Sequence, residues 1–184
     1  DETCNLSSMT LRAPLAFLVA LLFIGQLEAE DKKSAILEAG GFRFAATEGW
    51  TPKATPRAMS AGGFTYKTDA LKQGLDADFY HFGKGQGGSV EANIARWKGQ
   101  FDGTPKEVEK SKLAGGKVEF LQLEGTFMSG PPFGKKTPLK DHTMLAAIIK
   151  GKEGPVFVKM TGPKDEVAKG IVAFKAMLES AFKN

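Results

Sequence analysis

Residues 82–101 read FGKGQGGSVEANIARWKGQF, and the interpretation of this stretch decides the fold. Gly83, Gly85 and Gly88 stand in the spacing G-x-G-x-x-G, with a strand-like segment before them and a helix-like segment after. A dinucleotide loop at this place would mean a parallel α/β sheet. Such a loop needs a buried parallel strand in front, usually a continuous apolar run. The segment in front is LDADFYHF, residues 75–82, which alternates and carries Asp76 and Asp78. A parallel strand should also follow the helix. Here TPKEVEKSKLAGGKVEF, residues 104–120, follows instead, with Gly115-Gly116 as a hairpin signal. The loop is therefore read as a strand-to-helix turn, with Ser89 as the helix N-cap.

The rest of the chain agrees with an antiparallel reading. Val90, Ile94, Trp97 and Phe101 form one apolar stripe at helical spacing. Gly103 and Pro105 stop that helix. Val118 to Leu123 carries apolar residues on both faces, which marks an interior, central strand. TMLAAIIKGKEGPVFVKMTG, residues 143–162, is a second hairpin around KGKEG. A terminal helix follows, with Pro163 fitting its first position and Val167, Ile171, Phe174, Leu178 and Phe182 as its stripe. Gly170 interrupts it at a cost of about 1 kcal/mol against alanine. Hairpins imply antiparallel neighbours, and two amphipathic helices need sheet faces to cover. The expected class is α+β: a mostly antiparallel sheet of about six or seven strands flanked by two main helices.

Composition bounds the compartment. From Met9, a single Arg12 precedes an apolar run from Ala13 to Gly25 and a short polar end at Gln26–Ala29. This is the pattern of a cleaved secretory leader. The run is shorter than the roughly 20 residues that a membrane span requires. Residues 1–29 are thus read as upstream residues and signal peptide, and 30–184 as one domain exported to the periplasm or beyond, without a transmembrane segment after processing. The only cysteine, Cys4, falls in the removed part. The processed chain then holds no disulfide, thiolate metal site or cysteine nucleophile. The whole chain carries +4. Residues 1–29 hold Arg12 against Asp1, Glu2 and Glu28, so the processed part carries +6. That balance suits an anionic envelope component, and no aromatic-basic signature points to nucleic acid.

Little in the sequence calls for catalysis. GPPFGKKT, residues 130–137, imitates a phosphate loop but is one residue short between its glycines. Pro131 and Pro132 remove two donors and Pro138 blocks the following helix. Residues 129–142 are read as one long Pro/Gly/Lys connection. His81 and His142 are the only histidines and lie at no metal-ligand spacing; a metal-dependent hydrolase using either one is the alternative. Asp76 and Asp78 share a strand face and are expected to meet water at the strand entrance. No cofactor is implied. The candidate contact loops are the glycine turn, at Gly85, Gly87, Gly88 and Ser89, and the basic connection, at Lys135, Lys136 and Lys140.

GFRFAATEGW, residues 41–50, together with GGSVEANIARWKGQF, MLAAII and VKMTGP, gives a pattern over residues 40–182 that resembles the PsbP-like α/β/α sandwich. That fold is shared by a photosystem extrinsic subunit and a Ran-binding nuclear-transport regulator. The nearer likeness is to exported bacterial proteins of unknown function. The resemblance implies an accessory or binding module with a protein partner and carries no catalytic motif.

Overall fold

The computed structural model of the chain describes residues 35–131 and 133–183; the leader read in residues 1–29 lies outside them. The described residues form nine strands and two α-helices. The strands are β1 (Ile36–Ala39), β2 (Phe42–Ala45), β3 (Trp50–Pro52), β4 (Gly62–Tyr66), β5 (Leu75–His81), β6 (Lys106–Leu113), β7 (Val118–Ser129), β8 (Thr137–Ile149) and β9 (Val156–Pro163). The helices are α1 (Val90–Lys98), between β5 and β6, and α2 (Lys164–Ser180), after β9. Seven strands form one sheet in the order β3-β4-β5-β9-β8-β7-β6, and every pairing is antiparallel. β1 and β2 make a separate antiparallel ribbon.

Because side chains alternate along a strand, each central strand feeds two cores. Val118 and Phe120 of β7, Leu145, Ala147 and Ile149 of β8, and Val156, Val158 and Met160 of β9 point to one side. There they meet Val167, Phe174, Met177 and Leu178 of α2 and Phe44 of the ribbon. Leu121, Leu123, Met144, Ala146, Ile148 and Phe157 point to the other side, where Trp97 and Phe101 lie on them. A one-residue slip in any of these ladders would exchange the two sets. The ribbon is fastened to the end of α2, where Ser180 Oγ accepts from the Ala45 N–H at 3.0 Å and Phe42 meets Phe182 edge to face at 5.5 Å.

Several expectations shift once pairing is visible. Val118–Leu123 does carry apolar residues on both faces, but β7 lies next to the edge strand β6; β9 is central. Both of its faces are covered because α1 sits over one and α2 over the other. The connection read across residues 129–142 is shorter. Ser129 pairs with Thr137 and Gly125 with His142, so residues 137–142 are strand and only residues 130–136 turn the corner. Pro138 is tolerated there because β9 ends at Pro163, opposite His142, leaving that side of β8 without a partner. Pro163 itself is the last residue of β9 and the N-cap of α2, rather than its first helical residue. Gly170 is no defect: a Cβ there would stand 3.2 Å from Leu75 Cδ1 and 3.3 Å from Tyr66 Cδ1, so glycine permits the close approach of α2 to the sheet.

The sheet edges are blunt. β3 is three residues long and ends in proline, and β6 reads KEVEKSKL. Short, charged or proline-bearing edges resist pairing with other chains. Trp97 is the buried apolar residue that α1 itself contributes to the core on its side. Truncating Trp97, only 7% exposed, to alanine is expected to cost about 3 to 5 kcal/mol in urea unfolding. Val172→Ala, on the exposed side of α2, should leave the midpoint nearly unchanged.

Candidate functional site

The glycine turn is held by the helix that follows it. Ser89 caps α1, its Oγ accepting from the Ala92 N–H at 3.1 Å. Asn93, buried on the inner face, donates from Nδ2 to Gly87 O at 2.7 Å and Ser89 O at 2.9 Å. Its Oδ1 accepts from Arg96 Nη1 at 3.0 Å. Gly87 has φ +88°, and a Cβ on it would stand 2.6 Å from the Phe157 ring, with Phe82 next to it. Gly85 and Gly88 also have positive φ, but no atom crowds Gly85 and only looser contacts surround Gly88. The strand before the turn is β5, antiparallel to both its neighbours. The helix after it leads to the antiparallel edge strand β6. The parallel crossover of a dinucleotide site is therefore missing at this turn.

The three lysines of the basic connection do not act together. Lys136 folds back on its own loop, donating to Pro131 O at 2.5 Å and Gly130 O at 3.2 Å. Lys135 is exposed at the tip, beside the fully exposed Phe133. Lys140 lines an open cleft of about 710 Å³ at the start of α2, with Lys72, Lys164 and Asp165. The far part of the β7–β8 hairpin bends out of the sheet. The ladder shifts register between Gly125 and Phe127, and Asp141 takes a left-handed φ of +50°. The segment after α1 then pairs with it: Asp102 N–H donates to Thr126 O, Met128 N–H donates to Gln100 O, and the rings of Phe101 and Phe127 meet at 5.7 Å. Gln100, whose carbonyl accepts from Met128 of this hairpin, accepts from Lys159 of β9 on Oε1 at 2.9 Å.

Both loops thus flank one strip of sheet. It consists of side chains of β5 and β9 on the α1 side, from Phe157 at the edge of the α1 layer outward. From the glycine turn it runs through Phe82, Tyr80 and Phe157 to Asp78, Asp76, Lys159 and Thr161 (alternate residues of two paired strands). Phe82 is 45% exposed and stacks with Tyr80 at 6.5 Å. Beyond the aromatic end lies an ionic cluster. Asp78, only 2% exposed, accepts from Lys53 Nζ at 2.7 Å on Oδ1 and from Arg57 Nε at 2.8 Å on Oδ2. Lys53 also binds Asp76 at 2.9 Å, and Asp76 accepts from the Thr65 hydroxyl at 2.7 Å. Gly63, the cross-strand neighbour of Asp78, leaves the space that the Lys53 stem occupies; a Cβ there would be 3.3 Å from Lys53 Cδ and 2.8 Å from Ala77 O. On the other side of Asp78 stands Lys159, half-buried, donating to Gln100 Oε1 at 2.9 Å.

The electrostatics follow from burial and pairing. Burial alone would lift the Asp76 carboxyl, but hydrogen bonds from Lys53 and Thr65 and the charges of Lys53 and Arg57 outweigh it and hold the group below its usual range. Burial works against the Lys53 ammonium too, and the two aspartates reverse that, leaving its pKa raised. Lys159 has no such compensation: burial, then the charge of Arg57, push its amine down to about 8 despite Asp78.

Sequence reading placed Asp76 and Asp78 at a solvated strand entrance. Asp78 is instead buried, and the cations it meets are the protein's own. Lys53, Arg57, Gln100 and Lys159 were not singled out. The available signal was a lysine and an aspartate interrupting otherwise apolar strands, in VFVKM and DADFY. His81 Nε2 lies 3.0 Å from Glu153 O and His142 Nδ1 lies 2.8 Å from Lys140 O. They sit toward opposite ends of the sheet along the strand direction, since His81 of β5 pairs with Val156, which lies opposite Ile149 of β8, while His142 is seven residues back along β8. That is a separation of roughly 24 Å, so no single site uses both. Among the described residues no three His, Cys, Asp or Glu side chains are grouped to hold a metal ion, and no helix is long and apolar enough to cross a membrane. No protein-family model matches the chain, and no curated protein is detectably similar to it.

Removing Asp78 leaves Lys53 and Arg57 facing each other in place of a buried counter-charge. Asp78→Ala is expected to destabilise the fold by about 3 kcal/mol, the lower end for a broken buried pair, because Arg57 keeps access to water. The lowered pKa of Asp76 gives a second expectation. Its stabilisation is complete above the ordinary carboxylate range, about 4, and disappears as pH falls through the folded value. Asp76→Asn should therefore lower stability at neutral pH while flattening the acid limb of the stability–pH curve, measured by denaturant titration across that range.

Proposed function

We propose that this chain is an exported, non-enzymatic binding or accessory domain, and that it contacts its partner through the strip on the α1 side of β5 and β9. The observation that carries the reading is the convergence of two loops, distant in sequence, on that one strip. Gly87 packs on Phe82 and Phe157 at one end, and at the other Gln100 joins Met128 of the β7–β8 hairpin to Lys159. Between them lie aromatic rings and an arginine, residue types favoured at protein interfaces. The layer order, with a helix on each side of an antiparallel sheet, agrees with the PsbP-like sandwich that residues 40–182 resemble. The accessory role comes from that resemblance. The positive balance of the processed chain favours an acidic protein, or another anionic component of the envelope, over a basic one. The alternative of a metal-dependent hydrolase gains no support from His81 or His142, since neither is grouped with further metal-ligating side chains among the described residues.

Crosslinking in the native envelope followed by identification of neighbours tests this reading. A partner captured by the unaltered protein should be lost roughly tenfold or more with Phe82→Asp, as for a central interface residue. Val172→Asp, on the exposed outer side of α2, should capture it normally. Equal capture by both variants would exclude the strip.

A further inference from the structure

Lys159 differs from every other cation of the strip. Lys53 has two carboxylate partners, at 2.7 Å and 2.9 Å, and Arg57 has one at 2.8 Å. Lys159 is the direct cross-strand partner of Asp78, yet its amine donates to the neutral amide of Gln100 at 2.9 Å. The reason is that both oxygens of Asp78 are already engaged, Oδ1 by Lys53 and Oδ2 by Arg57. The charged groups acting on Lys159 are Asp78 from β5, Arg57 from the β3–β4 connection and Lys136 from the β7–β8 connection. Lys53 and Asp76 stand behind Asp78, paired with each other. Gln100, after α1, is neutral, as is Tyr80 on β5. Lys53, Arg57 and Lys159 against Asp76 and Asp78 leave one positive charge unmatched, and Lys136 reinforces it. A half-buried ammonium in that position has two ways to lower its free energy: it loses its proton or it gains an anion.

We propose that Lys159, with Arg57 beside it, receives a carboxylate group of the bound partner. This rests on the reading of the strip as the contact surface and specifies what the partner must present there. A single carboxylate matches the single unmatched charge. The ammonium has three donors, of which Gln100 takes one. The neighbouring Tyr80 and Phe82 rings give an apolar flank to the residue that carries the acid. Arrival of the carboxylate restores the counter-charge that Asp78 cannot supply, so above about pH 8 Lys159 takes up a proton on binding. Above about 8, where the free protein has lost that proton, affinity falls by up to about tenfold per pH unit until the pKa of the bound state is reached.

The test uses the processed protein and acetate as the probe, with inorganic phosphate and chloride at matched ionic strength as the other arms. The titration of the Lys159 side chain is followed by NMR. Acetate should move its midpoint upward by about one pH unit or more, an affinity difference of about tenfold between the two protonation states. Chloride should not. Lys159→Gln should abolish acetate binding. Lys159→Arg, which stays charged, should retain it and lose the pH dependence between 7 and 10 (a range set by the ordinary lysine and arginine values). A midpoint unmoved by acetate overturns the proposal. So does an equal response to chloride, or loss of the effect when the exposed Lys135 and Lys140 are changed to glutamine. A response to phosphate alone overturns the carboxylate assignment. If Lys159→Gln captures the envelope partner normally while Phe82→Asp does not, the contact surface stands and the carboxylate subsite falls.

Discussion

A helix about 10 Å across covers roughly two strands of a sheet whose strands lie about 4.8 Å apart, and the arrangement of this protein follows from that mismatch. The main sheet has seven strands. On one face α2 has help, because the β1–β2 ribbon lies beside it and closes the core with Phe42 and Phe44. On the other face there is only α1, nine residues long. It covers β7, β8 and the near side of β9 through Trp97, with Phe101 just beyond its end. The strands on the far side, β3 to β5, have no helix above them there. Their side chains on that face include Thr51, Thr65, Asp76 and Asp78, and hydrogen bonds and ion pairs to Lys53 and Arg57 do the work that apolar burial does elsewhere.

That division explains the ionic cluster. An aspartate in the middle of a sheet is unfavourable unless its charge is met. Asp78 sits at the border between the covered and open halves, where water no longer reaches it but Lys53 and Arg57 still do. Both cations come from the connection after β3, which lies over the open half. Gly63 makes room for one of them. Lys159 stands one strand further in, under the edge of the α1 layer, and finds only an amide. Its depressed proton affinity is thus a consequence of position: too deep for full hydration, and next to an acid already saturated by two other cations.

Much of the fold is legible from periodicity. The stripe through Val90, Ile94, Trp97 and Phe101 and that through Val167, Phe174 and Leu178 identify the two helices and their buried sides, since helix packing obeys the same spacing as the sequence. The hairpins are marked by Gly115-Gly116 and by KGKEG. The β7–β8 connection is misjudged because PPFGKKTPLK carries turn residues throughout, while Pro138 costs nothing on a side of β8 without a partner. Asn93 escapes notice because it lies on the apolar side of α1, four residues before Trp97, where its role is to hold the turn rather than to pack.

The sequence alone determined that this is an antiparallel α+β domain, that its glycine turn is a capped strand-to-helix corner, and which faces of its helices are buried. Each of those properties is written in neighbouring residues, within a turn or a strand. The site was decided only by tertiary structure. Lys53, Asp78, Gln100 and Lys159 are separated by 20 or more residues in the chain, and nothing local states which strand lies beside which. Once β5 and β9 pair, Asp78 and Lys159 become neighbours, and the shortness of α1 leaves them at the edge of water.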